Sequence, residues 1–277
     1  MTAILQFVIL GSGSSGGVPR ADGAWGACDP TDWRNRRSRC SLLVRRKSNG
    51  EGPDRQTTVI VDASPEFRLQ AAAAGVKRLD ALLLTHDHAD QCHGIDDIRA
   101  FFLHQRARIP CWMDPVTRVA IERRFGYIFS GAAGPYPAIA DIHEVRAYGE
   151  AWSVDGPSGA IPIMTFDQDH GSMRSLGYRF GSIAYSSDVV DLPEASFETL
   201  QGLDTWIVDA LRYTPHPTHA HVDKALEWIA RVRPRRAILT NLHIDLDFSE
   251  LAARLPPGVE PAHDGLTFEV EIKEPAC

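Results

Sequence analysis

Several features that would narrow the class of this chain at once are missing from it. The five cysteines, Cys28, Cys40, Cys92, Cys111 and Cys277, are odd in number and never spaced CxxC. That speaks against a disulfide framework and for a reducing compartment, so a cytoplasmic protein is expected. No apolar run is long enough to span a bilayer, and Met1 to Leu10 has neither a basic flank nor a cleavage site. It reads as a strand, with no membrane association expected. Positive charge is in deficit: 29 Lys and Arg face 36 Asp and Glu, a formal charge of -7, which argues against gripping an extended nucleic acid. Repeats, low-complexity tracts and linkers are also missing. Residues 1–277 therefore read as one large domain.

What is present suits a protein with a sizeable core. Hydrophobic residues make up 44% and charged residues 23% of the chain, close to globular averages. Leu5–Leu10 is a β-rich run that stops at the flexible Gly11–Gly17 turn, and Ser41–Arg45 with Thr57–Val61 suggests a hairpin. Ser64 and Pro65 mark a helix start and Gly75 its end. Leu79–Leu84 is almost continuously apolar, as in a strand covered on both faces, and it delivers Thr85 and His86 at its end. Helices follow near Ile95–Leu103 and Pro115–Phe129 around a strand at Ile109–Met113, and short strands dominate from Ile142 to Tyr185. Beyond Asp188 the pattern alternates: helix Pro193–Leu200, strand Thr205–Val208, helix His221–Val232, strand Ala237–Leu239, helix Ser249–Leu255. Meander-like and βα-like runs together fit two sheets packed face to face with helices outside.

Chemistry concentrates in Thr85-His86-Asp87-His88-Ala89-Asp90-Gln91-Cys92-His93-Gly94. Imidazole and carboxylate are the natural ligands of a catalytic divalent metal, and a tight turn after a rigid strand can aim several of them inward. Taken singly, His170, Asp188 and His243 each have a bland reading as a loop histidine, a turn acid and a strand-end side chain. Their order and their positions at strand ends suggest a single cluster. A second concentration, Arg34, Arg36, Arg37, Arg39, Arg45, Arg46 and Lys47, reads either as a solvated loop and strand end or as an anion-binding patch.

The Thr85–Gly94 segment resembles the HxHxDH signature of the metallo-β-lactamase superfamily. The resemblance extends through Gly11–Gly17, Ile60-Val61-Asp62, Asp169-His170-Gly171, Tyr185-Ser186-Ser187-Asp188 and Leu239-Thr240-Asn241. Gly11–Pro19, Arg37–Leu43 and Gly94–Arg99 look most like the branch holding phosphoribosyl cyclic phosphodiesterases. The likeness implies an α/β (α+β) fold, a four-layer αββα sandwich of two mixed sheets flanked by helices. It also implies two divalent ions, zinc or manganese: His86, His88 and His170 on the first, Asp188 bridging, Asp90 and His243 on the second. Gln91 departs from the pattern, since the family usually has histidine there, and an amide oxygen is a weak donor. The second ion should therefore bind loosely or be oxygen-tolerant. His221 is expected to protonate the leaving group, with Asp90 sharing proton transfer. Arg37, Arg39 and His219 are expected to meet the phosphate of a small phosphorylated substrate, a cyclic ribose phosphate or nucleotide. A homodimer is compatible with the resemblance.

Other readings compete. Gly11-Ser12-Gly13-Ser14-Ser15-Gly16 satisfies GxGxxG, but no helix packs behind it and no acid-ended second strand follows, so dinucleotide binding is set aside. A glyoxalase-type thioesterase and a non-catalytic nucleotide-binding metal sensor stay open, the latter because of Gln91.

Overall fold

The computed structural model describes residues 2–47, 52–131, 137–145 and 148–273. In chain order the strands of the first sheet are β1 (Thr2–Gly11), β2 (Ser41–Lys47), β3 (Thr57–Val61), β4 (Ala81–Leu83), β5 (Ile109–Met113) and β6 (Ala140–Glu144). The second sheet contains β7 (Ala151–Val154), β8 (Ile161–Asp169), β9 (Arg174–Phe180), β10 (Ile183–Ser186), β11 (Thr205–Asp209), β12 (Arg236–Thr240) and β13 (Val259–Pro261). The last strand, β14 (Thr267–Lys273), returns to the first sheet beside β1. Helices are α1 (Phe67–Ala73), α2 (Ala89–Cys92), α3 (Arg99–Gln105), α4 (Pro115–Ser130), α5 (Glu194–Thr199), α6 (Val222–Val232) and α7 (Phe248–Arg254).

The sheets run β14-β1-β2-β3-β4-β5-β6 and β13-β12-β11-β10-β9-β8-β7. Each passes from antiparallel to parallel pairing, at β3–β4 in the first and β10–β11 in the second. The expected four-layer sandwich is thus the observed fold. Period-two alternation builds it: in β4 and its flank, Ala81 and Leu83 face the second sheet with Tyr178, Phe180 and Ile207, while Leu82 and Leu84 pack outward against Phe67, Phe101 and Ile121. A third core under the second sheet joins Trp206, Val208 and Leu239 to Phe197, Trp228 and Leu251. Burial on both faces makes β4 intolerant of truncation, and Leu83→Ala would cost about 2–5 kcal/mol.

Local differences have local causes. The first helix begins at Phe67 rather than Pro65, because Ser64 Oγ accepts from Glu66 N at 3.2 Å and makes a turn before the helix. The ladder of β4 covers only the centre of Leu79–Leu84, and α4 is kinked at Phe125. The four described cysteines are buried and unpaired; Cys277 lies outside the described residues. Among the described residues no helix is long and apolar enough to cross a membrane.

Parallel pairing of β10, β11 and β12 places their C-terminal ends side by side. The end of β4 joins them across the sandwich, where Leu176 N donates to Thr85 O at 2.9 Å and Tyr178 Oη to Leu84 O at 2.8 Å. Among the described residues, five that are not glycine have positive φ. Arg106 and Arg233 are helix C-caps; the other three, Asp62, Asp188 and Asn241, stand at this shared edge. Asp and Asn tolerate that conformation best, and such strain gathers where a site demands it.

Candidate metal centre

The loop after β4 is held from beneath. Asp62, at φ 63°, accepts from Thr85 N at 2.8 Å and from Thr85 Oγ1 at 3.0 Å. The single proton of that hydroxyl goes to the carboxylate, so toward His86 Nδ1, 2.9 Å away, it accepts. His86 Nε2 is then left with a bare lone pair, buried and without a hydrogen-bond partner. His170 is fixed the same way: its Nδ1 lies 2.7 Å from Thr218 O, a carbonyl that only accepts, so Nε2 carries the lone pair. That nitrogen is 3.3 Å from His88 Nδ1 and 3.8 Å from Asp188 Oδ2, while His86 Nε2 is 3.4 Å from the same oxygen. One ligand atom from each of His86, His88, His170 and Asp188 lies within 4.8 Å of all the others.

Electrostatics agree with ligation. Burial, with help from His170 and His88, pushes His86 down to about 3, so the ring is neutral. His170 is lowered as well, first by burial. Burial opposes the charge on Asp188, but the neighbouring His219 cation and the Ser187 hydroxyl help outweigh it and hold the carboxyl below the usual carboxylate range. Neutral imidazoles with their far nitrogens engaged, one carboxylate and an orphaned buried lone pair fit a divalent metal ion.

Behind this group stands a second, Asp188, Asp209 and His219. His219 Nδ1 is 2.8 Å from Asp209 Oδ2, which also accepts from Val189 N at 3.0 Å. Burial disfavours a charged His219, yet Asp209 prevails and raises it to about 9. The His219 ring is 4.8 Å from that of His170 and 5.1 Å from that of His216. Burial lowers His216, and so do the neighbouring His219 and Arg212 charges.

The remaining expected residues are placed unevenly. Asp90 is outside both groups but within reach of Asp188; burial first, then that charge, raises it to about 6. Gln91 is fully buried, with Nε2 3.2 Å from Asp188 Oδ1 and Oε1 unpartnered. His243 also stands outside: Nε2 meets Arg20 Nη2, and Nδ1 lies 2.8 Å from Asp245 Oδ2. His221 is only the N-cap residue of α6, with no side-chain capping bond; the histidine the fold brings to the cluster is His219, because Asp209 anchors it. Arg37 is turned into the framework. It is 2% exposed and donates to Leu246 O at 2.7 Å, His243 O at 3.2 Å and Asn35 Oδ1 at 3.1 Å, bracing the loop that carries His243. Arg39 pairs with Glu66.

Sequence reasoning gave no role to Asp62, Asp209, Asn241 or Arg20. Asp209 had a signal, an acid closing the apolar run Thr205–Val208. The other three gain meaning only from contacts made across the fold. A cavity of about 530 Å³ between α1 and the β1–β14 edge, lined by Leu10, Leu69 and Thr267 among others, contains none of these groups.

Comparison with known proteins places this geometry. The Beta-lactamase superfamily domain matches residues 57–244. A crystallised diphosphatase from the PhnP family is 33% identical, covering 98% of this chain and 99% of its own, with a TM-score of 0.84. Zinc-bound PqqB from Methylobacterium extorquens (19% identity, 95% and 99% coverage, TM-score 0.68) and the short form of human tRNase Z (14%, 95% and 98%, 0.64) share the fold. The octanoyltransferase of Porphyromonas gingivalis is 30% identical over 274 residues, 97% of this chain and 52% of that protein. The chain thus spans about half the length of that curated relative.

Proposed function

Because this chain belongs to the β-lactamase superfamily, in its PhnP-like branch, we propose that it is a metal-dependent phosphoric ester hydrolase acting on a small phosphorylated substrate, a cyclic ribose phosphate or a nucleotide. The observation that carries this reading is His219, braced by Asp209 and set ring to ring against His170 of the metal cluster. When bound by His86, His88, His170 and Asp188, a divalent cation supplies Lewis acidity and makes water acidic enough to furnish hydroxide near neutral pH.

The protein's own groups do the rest. Asp62 and Thr85 orient His86, and the Thr218 carbonyl orients His170, so that the far nitrogen of each ring is directed into the cluster. Asp209 holds the proton on His219 Nδ1, leaving Nε2 to give a proton to the departing oxygen of the ester. The positive charges of His219 and Arg212 favour an anionic substrate. The diphosphatase relative supports phosphorus chemistry. The octanoyltransferase name belongs to a protein about twice as long, so acyl transfer is not carried over. Unpaired, buried cysteines suit the cytoplasm, where we place the protein.

The test is a substrate panel on protein loaded separately with zinc and manganese: bis(p-nitrophenyl) phosphate, cyclic nucleotides, cyclic ribose phosphates, a nucleoside diphosphate and an acyl thioester. Turnover of a phosphate ester or anhydride is expected. Turnover of the thioester alone would replace the reading with a thioesterase, and no turnover by fully metallated protein would make the chain a sensor.

A further inference from the structure

The two oxygens of Asp188 are used differently. Oδ2 faces His86 Nε2 and His170 Nε2 at 3.4 and 3.8 Å. Oδ1 lies 2.9 Å from Asn241 Nδ2, 3.0 Å from Ser187 Oγ and 3.2 Å from Gln91 Nε2. A carboxylate oxygen offers about two lone-pair sites, so three donors leave Oδ1 nothing for a cation. The groups beyond it are engaged too. His243 Nε2 meets the Arg20 guanidinium, which can only donate, so the lone pair is taken. Arg20 also adds a permanent positive charge where a second cation would stand, and it makes no ion pair among the described residues. The Asp188, Asp209, His219 group is filled by its own ion pair.

We propose that the site takes a single divalent cation, on His86, His88, His170 and Asp188 Oδ2, and that Gln91, Asn241 and Arg20 close the other half with protein groups. Asp188 is then a terminal ligand and not a bridge. The proposal rests on the metallohydrolase reading above but fails separately from it.

Chelator-stripped protein is equilibrated with Zn²⁺ and its content read by native mass spectrometry and elemental analysis. One equivalent is expected, falling to none in His86→Ala. Two equivalents in the unsubstituted chain would overturn this proposal and leave the hydrolase reading standing; none would overturn both. The double variant Arg20→Ala, Gln91→His frees His243 and adds an imidazole, and should take up two. A count held at one, with circular dichroism matching the parent, refutes the roles given to Gln91 and Arg20. Asp209→Asn should keep one equivalent; a fall to none would move the cation to the Asp209 and His219 side.

Discussion

Two stretches of this chain are equally dense in reactive groups, and the fold treats them in opposite ways. Between Thr85 and Gly94 it leaves His86 Nε2 and Gln91 Oε1 buried without hydrogen-bond partners. Between Arg34 and Lys47 the buried atoms left over, such as Arg37 Nε and Arg39 Nε, are donors on guanidiniums that are otherwise engaged: Arg34 pairs with Asp32 and lies 4.1 Å over the Phe248 ring, Arg37 donates to Leu246 O and His243 O, Arg39 meets Glu66, Arg45 donates to Ala74 O and Lys47 pairs with Glu269. Burying a polar atom unpaired is costly, so the first stretch is tolerable only if something else is to be bound. Between these two stretches, bare acceptor atoms able to ligate, more than the density of chemical groups, mark the site.

The largest effect should come from the ligands. His88→Ala is expected to remove both Zn²⁺ uptake and turnover, measured by metal content and by bis(p-nitrophenyl) phosphate hydrolysis; unchanged turnover would dissolve the contrast between the two stretches. Next comes the proton donor. His219→Ala should lower kcat about 10²–10⁴-fold on a poor leaving group, and much less on p-nitrophenolate, which departs without a proton. His221→Ala, which loses no capping bond, should stay within about twofold. Equal losses in the two variants would return the role to His221.

These two histidines also show what the sequence makes legible. The ligand loop is readable because its signals are local: an apolar run, a turn, and imidazoles alternating with acids. The αββα layering is readable from the periods of its strands and helices. The choice among His216, His219 and His221 is not local, since it depends on Asp209, ten residues back at the end of β11, meeting the ring of His219. Arg37 is harder still, for its partners include carbonyls at His243 and Leu246, more than 200 residues away. The strand β14 lies between these cases: Phe268, Val270 and Ile272 carry a period-two signal, but only the return to β1 gives it a place.

Arg37 then sharpens the comparison from the framework side. Arg37→Met deletes charged hydrogen bonds to two carbonyls and Asn35 Oδ1; each acceptor keeps one other donor, so the cost is that of the lost charged bonds, about 1.5–3 kcal/mol each before relaxation. A loss of roughly 3 kcal/mol in urea unfolding is expected, with KM for a phosphorylated substrate unchanged in the folded protein. A raised KM at unaltered stability would make Arg37 a substrate group after all. Thr85→Val acts on the site at one remove, by freeing His86 to turn and taking the hydroxyl's bond from Asp62. Metal affinity should fall about 10- to 100-fold, read by competition with a chromophoric chelator.

Arg39→Ala is expected to do least, and for that reason it tests the distinction most narrowly. Its guanidinium pairs with Glu66, both side chains partly exposed at 30% and 22%. Such pairs are screened by solvent and contribute about 0–1 kcal/mol. Glu66 also accepts from the backbone N of position 39 at 3.4 Å, so the carboxylate keeps a partner when the Arg39 side chain is gone. If a matched cation is framework, the variant should unfold within about 1 kcal/mol of the parent and retain its KM. A KM raised tenfold on a phosphorylated substrate, with stability and metal content intact, would mean that Arg39 leaves Glu66 to hold the substrate. Partner satisfaction would then be no guide to which of the two stretches does chemistry.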